Sequence, residues 1–296
     1  MNMEVPDRQV NLAAGLYLVA TPVGNLRDVT LRALDVLAAS DAIACEDTRI
    51  TRRLLDRYGI RTPMVRYDDH SGEQTRTALL NRVSEGQAIA LASDAGTPLV
   101  SDPGFKLVRE AVEMGLRVIP VPGPSSVLAA LTGAGLPTDR FSFHGFLPEK
   151  AKARHDRLQA LLGVAETIVV FESARRLPAT LKDIAGLDAR RPIVVARELT
   201  KRFEEFRRGP AEELAAHYQQ EGPPRGEVVL VIGPGAAAEA SEEDVDTALR
   251  ELLETESVKD AAQRVAAATG RRRRDLYQRA LVLSNEDKKA NEDKER

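Results

Sequence analysis

Residues 88–115 read AIALASDAGTPLVSDPGFKLVREAVEMG. The first five, Ala88–Ala92, are a continuous apolar run, too short for a helix and bounded by turn residues, as in a strand buried on both faces. The last part, Phe105–Met114, carries helical apolar spacing and closes at Gly115. Between them, residues 93–104 form a loop holding Ser93, Asp94, Gly96, Thr97, Asp102 and Gly104. Strand, loop and helix make half of a βαβ unit, and the same alternation runs outward in both directions. Upstream, Leu16–Ala20 is followed by the turn Thr21-Pro22-Val23-Gly24-Asn25 and by a helical pattern in Leu31, Leu34, Val36 and Leu37. Ala42–Cys45 reads as another strand, and Arg52–Tyr58 and Thr75–Glu85 as helices closed by Gly59 and Gly86. Downstream, the strand Val118–Val121 leads into Pro122-Gly123-Pro124-Ser125-Ser126. Short apolar strands alternating with amphipathic helices predict a parallel sheet.

The texture changes over Gly133–Phe146. Helices follow at Ala153–Leu162, Leu177–Ile184 and Ala211–Gln219. Strands follow at Thr167–Phe171, Pro192–Glu198 and Glu227–Ile232, with an alternating stretch at Phe203–Arg207. Strands with and without crossover helices predict a mixed sheet. Gly233–Ala240 has the composition of a linker. Beyond it come helices at Glu242–Glu254 and Val258–Ala268, the second with Ser257 as N-cap, and a third at Arg271–Leu283. The expected fold class is therefore α/β. A parallel-sheet domain spans 13–126 and a mixed-sheet domain 127–235. A small helical unit spans 241–284, and the polar tail 285–296 is expected to be disordered.

Composition narrows the function. The chain has 296 residues, 43% hydrophobic and 29% charged, as in a globular protein of about two domains. A net charge of -3 excludes a uniformly basic nucleic-acid coat, although residues 140–225 form a basic block between two acidic ones. With no Trp and 4% aromatics, base stacking is not the main binding device. The single cysteine, Cys45, excludes a disulfide framework and reads as a small buried hydrophobe. The four histidines (70, 144, 155 and 217) lack metal-ligand spacing, so no metal is expected. The first residues lack the basic flank and apolar core of a signal peptide. No apolar run approaches the length of a membrane span, and a cytoplasmic location fits best. No GxGxxG follows the first strand, and there is no GxxxxGK[ST] or GxSxG.

The positive signal is three loops, each following a strand: 21–25, 93–104 and 122–126. In an open parallel sheet, ligands bind at the carboxyl ends of strands. Glycine lets backbone approach a ligand closely, and Asp94 suits ribose hydroxyls or an ammonium group. The same residue types also make ordinary turns; the length and acidity of 93–104 favour a site there.

The segments ATPVGNL, CEDTR, ALASDAGTPLVSDPG, VPGPSS, GFLP, VVFES, ARELTK and GEVVLVIG occur in this order between about Gly15 and Leu283. Together they resemble the ribosomal RNA small subunit methyltransferase I family, within the tetrapyrrole methylase superfamily. One departure is Tyr67–Glu73, where relatives usually carry His-Asn. The resemblance implies two α/β domains with S-adenosylmethionine (SAM) in the cleft between them. It implies methylation of the 2′-hydroxyl of a decoding-centre cytidine in 16S rRNA on the 30S subunit, and a homodimer. It also implies a cofactor pocket of Ser93, Asp94, Ala95, Gly96, Thr97, Pro122, Gly123, Ser125 and Ser126, closed by Val23, Phe171, Glu172, Leu199, Gly226 and Glu227.

A base for a ribose hydroxyl is sought among Glu46, Asp47, His70, Glu172, Glu198 and Lys201, with Glu46, Arg49, His70 and Lys201 expected nearest the ribose. Glu46–Arg49 reads equally as a helix N-terminus stabilised by carboxylates. Arg175, Arg176 and Arg197 are candidates for RNA phosphate. So are Arg271, Arg272, Arg273 and Arg274, because cations at a helix N-terminus oppose its dipole unless an anion meets them. A corrinoid-precursor C-methyltransferase and a non-catalytic RNA-binding protein are the alternatives.

Overall fold

The computed structural model describes residues 11–68, 72–235, 242–269 and 271–294. The first sheet holds β1 (Gly15–Val19), β2 (Ala42–Cys45), β3 (Met64–Arg66), β4 (Ala88–Ala92) and β5 (Val118–Val121), all parallel, in the order β3-β2-β4-β1-β5. Side chains alternate across it. Ala88, Ala90 and Ala92 of β4 face a core shared with α1 (Leu31–Ala39) and α2 (Thr48–Arg57). Ile89 and Leu91 face α3 (Glu73–Ser84) and α4 (Phe105–Glu113) on the other side. With both faces covered, β4 is buried along its whole length, which is why its sequence is a run and not an alternation. Cys45 lies in this interior, where burial pushes its thiol up.

The strand order decides where a site can form. β4, β1 and β5 are neighbours, so the loops that follow them leave the same edge side by side. These are the three loops expected from the sequence to converge.

α5 (Ser126–Ala134) is capped by the Ser125 hydroxyl, which accepts from the Leu128 N–H. It packs Val127, Ala130, Leu131 and Ala134 on the second sheet. That sheet holds β6 (Phe141–Phe146), β7 (Thr167–Ser173), β8 (Pro192–Arg197), β9 (Glu205–Pro210) and β10 (Glu227–Ile232) in the order β6-β7-β10-β8-β9. β6 and β7 are parallel and the remaining pairs antiparallel, so the sheet is mixed, as expected. α6 (Ala151–Leu162), α7 (Leu177–Leu187) and α8 (Ala211–Glu221) complete this layer. The two sheets with their helices form one compact unit, and the C-terminal helices another.

The second unit packs α9 (Glu242–Leu253), α10 (Val258–Thr269) and α11 (Arg273–Lys294) around Val245, Leu249, Ala262, Val265, Leu276, Ala280 and Leu283. Ser257 caps α10 as expected, accepting from the Asp260 N–H. On α11 the inward set runs 276, 280 and 283, while Tyr277 and Leu281 are each 40% exposed. One expectation is corrected here. The segment from 285, expected to be disordered, continues α11 to Lys294. No Gly or Pro interrupts it, and Glu, Lys and Ala are good helix formers. Ser241 and Gly270 lie outside the described residues.

Candidate active site

The three loops are tied together by backbone and hydroxyl groups. Thr21 and Gly96 exchange N–H···O bonds of 2.8 and 2.9 Å. The Thr21 hydroxyl donates to the Ser93 carbonyl at 2.9 Å, and the Ser93 hydroxyl to the Gly96 carbonyl at 2.8 Å. The Thr97 hydroxyl donates to the Pro124 carbonyl at 3.0 Å. Within loop 93–104, Leu99 and Ser101 adopt left-handed backbone with φ of 70° and 63°. Non-glycine residues there carry strain that the surroundings must hold, a pattern concentrated at functional sites.

These loops face the second sheet across a cavity of about 450 Å³, within the usual range for small-molecule sites. The first sheet supplies Val23, Asp94, Ala95, Thr97, Val100, Ser101 and Asp102, and the turn into α5 supplies Ser125 and Ser126. The second sheet supplies Phe146, Phe171–Ala174, Leu199 and Gly226–Val229. Of the pocket expected from the sequence, Ser93, Gly96, Pro122 and Gly123 do not line it. Ser93 and Gly96 are spent on the ties above. A side chain on Gly123 would press on Ala20 and Thr30 rather than enter the cavity. The sequence reading did not assign Val100, Ser101, Asp102, Phe146, Ser173, Ala174, Val228 and Val229 to the pocket. Asp102 was visible in loop 93–104 as its second acid.

The acids divide sharply. Glu172 lines the cavity, but its fully buried carboxylate accepts from Arg176 at 2.7 Å, the Thr180 hydroxyl at 2.6 Å and the Ser173 N–H at 2.8 Å. It is a strut, with both oxygens already engaged. Glu198, at φ 49°, and Glu227 both hold the Lys201 ammonium, at 2.9 and 3.2 Å. A side chain on Gly226 would overlap the Glu198 carboxylate, and one on Gly24 would strike the Lys201 stem. Partial burial pulls the Lys201 pKa down, yet the bonds to Glu198 and Glu227 outweigh it and hold the amine above its ordinary value. Lys201 therefore stays a cation and offers a positive charge, not a base.

Asp94 and Asp102 differ. Asp94 accepts one N–H, from Asp47, at 3.1 Å. Burial raises its pKa; that bond lowers it and the Asp47 charge raises it further. Asp102 is pushed up to about 6, first by burial, then by the Glu46 charge, with the Ser93 hydroxyl pulling back and Asp94 adding repulsion. Its Oδ2 is closed to solvent and has no hydrogen-bond partner among the described residues.

The other candidates lie outside this lining. Glu46 is exposed just after β2. Arg49 is exposed and paired with Asp47 at 2.6 Å, where Asp47 caps α2 and is held well below the usual carboxylate range by its bonds from Arg49. His70 lies outside the described residues. Arg176 is committed to Glu172 and to the Leu147 carbonyl, and Arg197 to Glu205 at 2.6 Å. Arg175 is exposed, as are Arg272, Arg273 and Arg274. α11 begins at Arg273, later than expected, so Arg271 and Arg272 belong to the turn before it.

Among the described residues, no group of His, Cys, Asp and Glu is placed to hold a metal, and no helix is long and apolar enough to cross a membrane.

Residues 15–215, which carry the first sheet and most of the second, match the family model of the Tetrapyrrole (Corrin/Porphyrin) Methylases, and the chain belongs to that class. Residues 239–284 match a second model, the RsmI C-terminal HTH domain. The ribosomal RNA small subunit methyltransferase I of Mesorhizobium japonicum is 48% identical over 283 residues, covering 95% of this chain and 96% of that protein. The protein of the same name from Erythrobacter litoralis is 50% identical over 272 residues, covering 92% and 96%. The chain belongs to the ribosomal RNA small subunit methyltransferase I family. Solved structures of lower identity share the fold. Cobalt precorrin-4 methyltransferase superposes with a TM-score of 0.56 at 20% identity, covering 74% of this chain and 94% of its own. Uroporphyrin-III C-methyl transferase from Thermus thermophilus, complexed with S-adenyl homocysteine, gives 0.53 at 23%, covering 74% and 97%.

Proposed function

We propose that the chain transfers a methyl group from SAM to the 2′-hydroxyl of a decoding-centre cytidine in 16S rRNA, acting on the 30S subunit. The observation that carries this reading is the near full-length match to relatives named for the small-subunit ribosomal RNA. A C-terminal segment matching their helix-turn-helix domain supports it and counts against a corrinoid substrate.

The cavity suits the cofactor. Asp94 provides an anionic acceptor for an ammonium or for ribose hydroxyls, and Phe171, Leu199 and Val229 provide apolar wall. When bound, SAM supplies a methyl group on a sulfonium, a carbon with a good leaving group already attached. What remains for the chain is to align the hydroxyl with that carbon and to exclude water, which contributes through proximity. The loop ties hold the acceptor still. Lys201 is a cation held by Glu198 and Glu227 beside the cavity's Gly226–Glu227 edge and suits a substrate phosphate. Exposed Arg175 and Arg272–Arg274 offer further phosphate contacts, which position RNA without reading sequence.

The test is transfer of labelled methyl from SAM to 30S subunits lacking the modification, followed by nucleotide mapping. Label on a cytidine ribose is expected. Label on a base, or transfer only to a corrinoid precursor, overturns the reading.

A further inference from the structure

Asp102 belongs to the cavity wall but to none of the structural pairings that absorb the other acids. Left-handed Leu99 and Ser101 deliver it there. Gly104, at φ 124°, then turns the chain into α4 where a side chain would strike Leu91. The backbone is thus fixed on both sides of the carboxylate. Arg176 and Thr180 satisfy Glu172, and Lys201 satisfies Glu198 and Glu227. Asp102 has one oxygen without a partner, and the carboxylates of Glu46 and Asp94 lie close enough to repel its charge. Its counterweight, the Ser93 hydroxyl, has a single proton, which also serves the Gly96 carbonyl. An under-solvated carboxylate gains more from taking a proton than a paired one does. Among the described groups lining the cavity, Asp102 is therefore the one best arranged to accept a proton.

We propose that Asp102 is the general base of the reaction, accepting the proton of the ribose hydroxyl as methyl transfer proceeds. This rests on the ribose substrate proposed above. The hydroxyl O–H bond breaks toward the Asp102 carboxylate. The hydroxyl oxygen forms its bond to the methyl carbon as the carbon–sulfur bond breaks, and the sulfur leaves as a neutral thioether. Asp102 ends protonated and returns the proton to water when product leaves. Its raised proton affinity, about 6, places it close to the working range of an efficient base and keeps it mostly ionised at neutral pH.

The experiment compares full-length wild type with Asp102→Asn, which keeps the shape and removes the basic oxygen. Three readouts are taken: SAM affinity by calorimetry, single-turnover methyl transfer to unmodified 30S subunits across pH, and a difference infrared spectrum of the two proteins without ligand. Expected are SAM affinity within about threefold of wild type and a rate at neutral pH lower by about 100- to 10,000-fold. The wild-type rate falls on the acid side, and the variant's residual rate is flat there. A protonated-carboxyl band titrating near 6 is present only in wild type. An undiminished Asp102→Asn rate, a wild-type profile flat through the acid side, or SAM affinity falling as far as the rate would each overturn the proposal, the last by making Asp102 a cofactor ligand. Label on a base instead of a ribose overturns the substrate reading. Ribose label with an unchanged Asp102→Asn rate overturns only the role of Asp102.

Discussion

The two walls of the cavity are held by opposite means. The first-sheet wall is fixed by backbone bonds and hydroxyls: the Thr21–Gly96 exchange, Ser93 to Gly96, and Thr97 to Pro124. Its acids, Asp94 and Asp102, are left with weak support. The second-sheet wall is fixed by charge. Glu172 is bound by Arg176 and Thr180, Glu198 and Glu227 by Lys201, and Glu205 by Arg197 and Arg207. An acid recruited as a strut is not available as an acceptor. The wall that spends neutral groups on rigidity is the one that keeps its carboxylates for chemistry.

That contrast can be broken most severely at Glu172. Replacing it with Ala leaves the half-buried Arg176 guanidinium uncompensated and the buried Thr180 hydroxyl without its acceptor. Removing one partner of a buried pair costs about 3–5 kcal/mol, so Glu172→Ala should lower the urea midpoint steeply. An unfolding free energy within about 1 kcal/mol of wild type would mean the second wall does not depend on its charges.

Asp94 tests the other wall. Asp94→Ala removes a charged acceptor and should weaken SAM binding by about 1.5–3 kcal/mol, read by calorimetry, with unfolding little changed. If stability falls as far as it does for Glu172→Ala, Asp94 is a strut too and the distinction fails.

The smallest effect has a sign of its own. Asp102 titrates near 6 in the folded chain and near the ordinary aspartate value unfolded. The native state then binds more protons in that interval, so stability falls as pH rises through it. Asp102→Asn should therefore be more stable than wild type at neutral pH, by about 1 kcal/mol once solvent screening is allowed for. The gain should disappear as pH is lowered toward 4. A gain that persists in acid, or a loss at neutral pH, would show that Asp102 is satisfied after all.

Much of this was legible in the sequence where one face or both are buried. β1, β2 and β4 read correctly because a doubly covered strand must be apolar throughout, and β5, a partly buried edge strand, because its short apolar run is bounded by turn residues. β3 escaped notice as a three-residue edge strand behind Pro63, with too little apolar surface to form a pattern. α5 and β6 escaped for another reason. α5 is short and packs small residues, and Gly133 sits in it because the Phe206 ring fills the space a side chain would need. β6 presents Phe141-Ser142-Phe143-His144-Gly145-Phe146 with no fully buried position. In the site, the loops were legible from glycine, proline and small hydroxyls following strands. Which of those residues face the ligand was not, because Ser93 and Ser125 have the same chemistry. One is spent on Gly96, while the other reaches the cavity while capping α5. The pairing that disqualifies Glu172 joins β7 to α7 over eight positions, and no local pattern announces it.

The seat of Glu198 has a consequence for how this chain can vary through descent. Residue 226 has no room for a side chain while an acid stands at 198. A lineage could not enlarge 226 first, because the newcomer would collide. Nor could it discard the acid first without loosening Lys201. The two positions are therefore coupled, and a library that varies both together should recover residues at 226 that a library varying 226 alone does not.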